Sequence, residues 1–222
     1  QASIGHDDTR FRVVVAGRRF GKTYLSVREM AKFGRHPNRK IVYIAPSYRQ
    51  GKQTVWQDLK TRLGDLGWIK RVNETELTVS LINGTVIMLR SADNYDSMRG
   101  LGIDFVVFDE FADIKLETWT EVIRPALSDR EGHAMFIGTP KGFGNWAKNL
   151  WDQGQDPDFT DWSSYQYTTL DGGNVNAEEI ESARLDLDER TFRQEYMATF
   201  ETYQGAVYYS FDRSQLFALA DM

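Results

Sequence analysis

No cysteine occurs anywhere in the chain. That absence excludes a disulfide framework and any thiolate metal site. Histidine is almost as scarce: His6, His36 and His133 stand far apart and offer no zinc-ligand spacing. Nor does any run approach the ~18 consecutive apolar residues of a membrane span. The opening "QASIGHDDTR" lacks the apolar segment of a signal peptide. A cytosolic protein with no membrane partner is the expectation. Beginning with Gln rather than Met and ending "LFALADM", the sequence reads as a piece of a longer chain.

What is present suffices for a core. Hydrophobic residues make up 41% of the 222 positions, which fits one large domain or a domain with a small appendage. The net charge of −5 is unevenly placed: residues 1–72 carry 16 basic against 5 acidic side chains, leaving 11 against 27 for the rest. A basic N-terminal part is compatible with an anionic ligand there, and equally with a solvated surface.

Short apolar runs alternate with helical spacing. "FRVVVA" (11–16), "KIVYIAP" (40–46), "DFVVFDE" (104–110) and "HAMFIGTP" (133–140) read as buried strands, and "WSSYQYTT" (162–169) as an alternating one. Between them, 22–34, 51–67, 116–127 and 143–154 carry helical spacing, with Pro125 set to kink or end the third. "LTVSLINGTVIMLR" (77–90) reads as a hairpin around Asn83-Gly84. Residues 176–200 read as one or two helices broken near 186–189, and 205–211 as a last β-like piece. This alternation predicts an α/β fold with a mainly parallel sheet and helices on both faces. "DGGN" (171–174) marks a boundary between a core of residues 1–170 and an acidic stretch, 171–222. That stretch is either a lid-like helical subdomain or the last helices of the same domain.

Two motifs carry chemistry. "AGRRFGKT" (16–23) follows a strand and opens a helix. It matches the phosphate-binding loop G-x-x-x-x-G-K-[ST] with Ala16 in place of the first glycine. Backbone N–H groups of Gly17, Arg18, Arg19, Phe20 and Gly21 would cradle phosphates, Lys22 would neutralise the β- and γ-phosphates of ATP, and Thr23 would bind Mg²⁺. A chance Gly-Lys-Thr opening a basic helix is the plainer alternative. "DFVVFDE" ends in adjacent acids at the carboxyl end of a strand, where ligands bind in open α/β sheets. Asp109 would hold Mg²⁺ and Glu110 would orient and deprotonate the attacking water; solvated acids at a strand end are the alternative. Thr139, leaving a third strand in "FIGTPKG", would lie beside the same pocket or simply form a Thr-Pro turn.

Together "VVVAGRRFGKT", "VYIAPSYRQGKQ", "SMRGLGIDFVVFDEFADI" and "FIGTPKG" resemble the ATPase domain of large terminase subunits, the DNA-packaging motors of tailed bacteriophages. The resemblance covers roughly residues 1–205. It implies a P-loop NTPase of the additional-strand catalytic Glu (ASCE, RecA-like) type with a small C-terminal lid and linker. By the resemblance, Lys22, Thr23, Asp109 and Glu110 keep the roles above, and Thr139 matches the motif coupling hydrolysis to movement. Arg18 matches a loop arginine that approaches the γ-phosphate in cis, and Arg99 an arginine finger given in trans to a neighbouring subunit. Gln1 corresponds to an upstream glutamine that contacts adenine. Arg49 and Lys52 lie where helicase-like relatives contact polynucleotide backbones, with a solvated surface the equal alternative. Arg19 acquires no role.

The implied activity is Mg²⁺-dependent ATP hydrolysis driving double-stranded DNA into a procapsid. The implied partners are a homo-oligomeric ring, pentameric by the resemblance, the portal protein and the small terminase subunit, in the cytoplasm of an infected bacterium. After "GAVYYSFDRSQLF" too few residues remain for the family's C-terminal nuclease domain, so DNA cleavage is not expected of this stretch. A helicase-like or DNA-repair ATPase would need a second RecA-like domain. A nucleotide-binding assembly module with little turnover would have no use for Glu110.

Overall fold

Phe11, Val13 and Val15 face one side of the first strand and Arg12, Val14 and Ala16 the other, and all six are buried. Burial on both faces requires a sheet covered twice. The computed structural model, which describes residues 2–202, shows that arrangement. Gln1 and the expected β-like piece at 205–211 lie outside the described residues.

One sheet is formed by β1 (Phe11–Ala16), β2 (Lys40–Ala45), β3 (Ile69–Asn73), β4 (Thr78–Leu81), β5 (Val86–Ser91), β6 (Phe105–Asp109), β7 (His133–Gly138) and β8 (Trp162–Tyr167). Their order is β3-β4-β5-β2-β6-β7-β1-β8. From β5 to β8 in that order every pairing is parallel, while β4 runs antiparallel to both its neighbours. The fold class expected from the alternation is therefore present. So is the additional strand: β7 separates β1, which leads into the phosphate loop, from β6, which ends in the acids.

Alternate residues along the strands feed two cores. On one side Val14, Tyr43, Val107 and Ile137 pack with Leu25 and Met30 of α2 (Lys22–Gly34) and with Val55, Leu59 and Leu63 of α3 (48–65), where α1 is the short Ala2–His6 helix. On the other, Val13, Ile44, Phe108 and Phe136 pack with Trp119 and Ile123 of α4 (118–126) and with Ala147 of α5 (Trp146–Gln153). Phe136 stacks on Phe108 at 5.0 Å between ring centroids and meets Trp119 edge-on at 4.9 Å.

Several boundaries differ from the sequence reading for physical reasons. The helix expected from residue 51 starts at Tyr48, because Ser47 caps it: the Gln50 N–H donates to Ser47 Oγ at 3.2 Å. The hairpin is present as β4 and β5, but it extends into β3, a strand whose Lys70 and Arg71 are exposed. Charge at a sheet edge blocks further pairing and also hides the strand from a hydrophobic pattern. α4 passes Pro125 and stops one residue later, its preceding turns widened to the π type. The acidic stretch breaks as expected into α6 (Ala177–Asp186) and α7 (Glu189–Glu195), with Asp188 capping the second.

α1 was not foreseen; five residues show no periodicity. It is held by Arg12, whose Nη1 donates to the Ile4 carbonyl at 2.9 Å. The same Nη1 lies 2.8 Å from Glu29 Oε2 of α2, with both side chains essentially sealed from solvent. Removing one member of such a pair strands a charge in the core at a cost of about 3–5 kcal/mol. Glu29→Ala is therefore expected to lower the urea midpoint steeply, and Arg12→Met with Glu29→Leu to restore most of the loss. A single mutant as stable as the double would show that the pair is not coupled.

Candidate active site

The carboxyl ends of β1, β6 and β7 meet at one level, since Asp109 pairs in register with Ile137 and Ile137 with Val14. Beyond β1 the chain turns sharply. Arg19 (φ 61°) and Gly21 (φ 100°) take left-handed backbone, the second directly before α2. Gly17 has no room for a side chain: a Cβ there would stand 2.6 Å from the Tyr196 carbonyl. Phe20 is buried and stacks on Tyr167 at 5.0 Å, so its ring anchors the loop from beneath. The loop and the first turn of α2 together would make a cradle for an anion, although the Gly17 and Arg18 N–H groups already donate to the Tyr167 and Glu195 carbonyls at 3.0 and 2.7 Å.

Lys22 folds back over that cradle. Its Nζ donates to the carbonyls of Ala16 (3.1 Å) and Gly17 (3.3 Å) and to Thr139 Oγ1 (3.1 Å). Desolvation holds its pKa below the usual lysine value, against the pull of the Glu110 and Asp109 carboxylates. Thr23 is the next residue of α2, half-buried. Thr139 also donates its backbone N–H to Glu110 Oε2 at 3.2 Å. Glu110 itself leaves β6 in left-handed backbone (φ 46°), which turns its carboxylate over β7. There Gly138 leaves the space, since a Cβ would sit 3.3 Å from Glu110 Oε2. A continuous polar chain thus runs Lys22–Thr139–Glu110 across three strands.

Asp109 lies beneath this chain, 4% exposed, with the buried Tyr43 hydroxyl donating to its Oδ2. Burial pushes its carboxyl up to about 6 despite the Tyr43 hydrogen bond and the nearby Lys22 charge. Above is a cavity of about 390 Å³ whose lining includes Arg18, Arg19, Lys22, Glu110, Thr139 and Glu195. Asp109 and Thr23 adjoin this cavity without being among its lining residues, which offer the hard oxygens of Glu110, Thr139 and Asp113, a donor type that suits Mg²⁺. Among the described residues no three His, Cys, Asp or Glu side chains form a cage, so nucleotide phosphates would have to complete its coordination.

The C-terminal helical stretch reaches the loop. Arg18 Nε lies 2.6 Å from Glu195 Oε2 of α7, and the Arg18 backbone N–H donates to the Glu195 carbonyl at 2.7 Å. Thr169 Oγ1 donates to the Arg18 carbonyl (2.8 Å) and Asn174 Nδ2 to that of Arg19 (2.9 Å). Arg99 is elsewhere. Exposed after β5, it pairs with Asp96 at 2.7 Å and Glu121 at 3.4 Å and does not line this cavity. Arg49 and Lys52 are exposed on α3, and Gln1 lies outside the described residues.

Sequence reasoning did not single out Tyr43, Glu195, Gln50, Asp113 or Lys141, which surround or line the site. Tyr43 and Gln50 lie inside "VYIAPSYRQGKQ", Asp113 inside "SMRGLGIDFVVFDEFADI" and Lys141 inside "FIGTPKG", so only Glu195 had no motif to draw attention to it. A cavity of about 420 Å³ opens at the opposite, amino ends of the strands, but its charges already pair, Arg39 and Arg130 sharing Asp104.

The burial of Asp109 has a pH signature. An acid raised from 3.8 to about 6 binds more protons folded than unfolded between those values. Its ionisation therefore removes stability as pH rises through that window, on the order of 2–3 kcal/mol above it. Asp109→Asn is expected to stabilise the metal-free protein at pH 7–8, with the gain shrinking toward pH 4.5. Urea unfolding across that range checks it, and an equal gain at every pH contradicts it.

Comparison with known proteins bears on the family and the fold. The profile of the family described as "Terminase large subunit, T4likevirus-type, N-terminal" matches residues 13–215. The terminase large subunit of Escherichia phage T5 is 32% identical over 211 residues, covering 93% of this chain and 48% of that protein. That of Thermus virus P23-45 is 33% identical over 136 residues, covering 55% of this chain and 28% of its own. The chain thus spans about half the length of the T5 relative, or less of the other. The large terminase ATPase domain of Thermus phage P74-26 superposes with a TM-score of 0.77 at 26% identity, covering 90% of this chain and 92% of that one. A large terminase from a thermophilic bacteriophage, solved in complex with ADP, shares the fold at a TM-score of 0.76 and 15% identity, covering 93% of this chain and 52% of that one. On the strength of the family profile, which spans most of its residues, the chain belongs to the terminase large-subunit family.

Proposed function

We propose that this chain is the ATPase motor module of a large terminase: it hydrolyses ATP in the cavity over β1, β6 and β7 and uses the cycle to move double-stranded viral DNA into a procapsid. The observation that carries the reading is the Lys22–Thr139–Glu110 chain. It sets a phosphate cation, a hydroxyl sensor and a base side by side at the sheet's ligand-binding end.

In this reading the loop backbone and Lys22 hold the β- and γ-phosphates, so Lys22 gives up its carbonyl contacts when nucleotide arrives. Glu110, already aimed by Thr139, orients the attacking water and accepts its proton. Mg²⁺, held by Thr23 and Asp109, would supply charge neutralisation at the phosphate oxygens. Arg18 is tied to α7 through the Glu195 carboxylate, so its transfer to a γ-phosphate would break that side-chain tie and leave the backbone bond between the same two residues. With Thr139, that exchange couples the chemistry to movement. Arg99, away from its own cavity, would serve a neighbour's site in a ring. DNA would be gripped through its phosphates and hence without sequence preference, with the portal and small terminase subunit as partners at the procapsid in the host cytoplasm.

Glu110→Gln is expected to bind ATP within a few-fold of the parent and to lose turnover by at least ~100-fold. Fluorescent-nucleotide binding and phosphate release measure the two, and unchanged hydrolysis would remove Glu110 from the mechanism. Arg99→Ala is expected to lower the assembled rate by about 10³-fold. Mixing it with Glu110→Gln subunits should restore part of that rate; no rescue at any ratio speaks against a trans arginine.

A further inference from the structure

Tyr43 is a tyrosine where a parallel core strand calls only for an apolar residue. It sits in β2 opposite Val107 of β6, and Asp109 is two residues further along β6 on the same side. Its ring is 1% exposed and packed among the residues under α2 and α3. The hydroxyl at its tip reaches Asp109 Oδ2. The phenol donates and the carboxylate accepts, and the ring is enclosed by the core around it.

Two consequences follow for Asp109. Tyr43 occupies one of its oxygens, no other side-chain donor among the described residues reaches the carboxylate, and the Glu110 backbone N–H is its further hydrogen-bond partner. Moreover, the carboxylate is restrained from swinging onto Lys22, whose Nζ instead bonds Thr139 and two carbonyls. A direct Lys22–Asp109 ion pair would tie up both the phosphate cation and the cation-binding acid.

We infer that Tyr43 is a positioning residue for the divalent cation that accompanies the nucleotide, pinning Asp109 Oδ2 so that Oδ1 alone serves the cation and Lys22 stays free for phosphate. This rests on the reading of Asp109 as the cation's acid. Groups that orient a metal ligand in this way typically contribute about 10–100-fold to metal affinity.

The probe is Mn²⁺, titrated by electron paramagnetic resonance into protein saturated with ADP, with ADP affinity measured separately in EDTA. Tyr43→Phe is expected to weaken Mn²⁺ binding about tenfold while ADP affinity in EDTA stays within twofold. Asp109→Asn should weaken Mn²⁺ at least as much, and the double variant should be no worse than Asp109→Asn alone. The double also removes the buried charge, so it remains measurable if Tyr43→Phe alone folds poorly: additive losses on top of Asp109→Asn would overturn the inference. Mn²⁺ affinity unchanged in Tyr43→Phe but lost in Asp109→Asn overturns the positioning role alone. Affinity unchanged in both overturns the reading of Asp109 and the inference with it.

Discussion

A carboxylate buried at the end of β6 is the constraint around which the site is arranged. Asp109 has lost nearly all its water, and that desolvation is the largest influence on its proton affinity. Two neighbours make the cost bearable without removing it: Tyr43 donates a hydrogen bond and Lys22 supplies a nearby positive charge. Glu110 turns aside into left-handed backbone and offers its N–H, but its own carboxylate adds repulsion. The result is a buried carboxylate whose ionisation costs stability, a cost that on the proposed reading a cation and a polyphosphate would offset.

The sheet supplies the rigidity this requires. Alternate residues of β1, β2, β6 and β7 are locked into two separate cores, one under α2 and α3, the other under α4 and α5. A strand packed on both faces neither slips by one residue nor twists freely. The relative heights of Ala16, Asp109 and Gly138 are thus set by register, and the side chains leaving those ends inherit it.

Much of this was legible in the residues. Unbroken apolar runs announced buried parallel strands, and a phosphate loop followed by a strand ending in two acids announced the site. Four kinds of information were not legible. Strand order depends on contacts between distant segments, so β7 lying between β1 and β6 could be expected only through the family resemblance. Lys70 and Arg71 concealed β3, because an edge strand is protected by charges that erase its hydrophobic signature. Tyr43 looked like one more core aromatic, since its partnership with Asp109 exists only once β2 and β6 are placed in register. And nothing local marks Glu195, one of many acids in a polar stretch, as the partner of Arg18.

That last pairing bears on how the molecule is made. Arg18 and Glu195 are 177 positions apart, and the same α7 end places the Tyr196 carbonyl against Gly17. Contacts so distant in sequence form late, after the entropy of closing the intervening chain has been met. During synthesis the phosphate loop therefore emerges first and waits for the C-terminal helix before its outer side is supported. The contacts that brace the loop's outer side are a property of the finished fold and need a chain extended past residue 196.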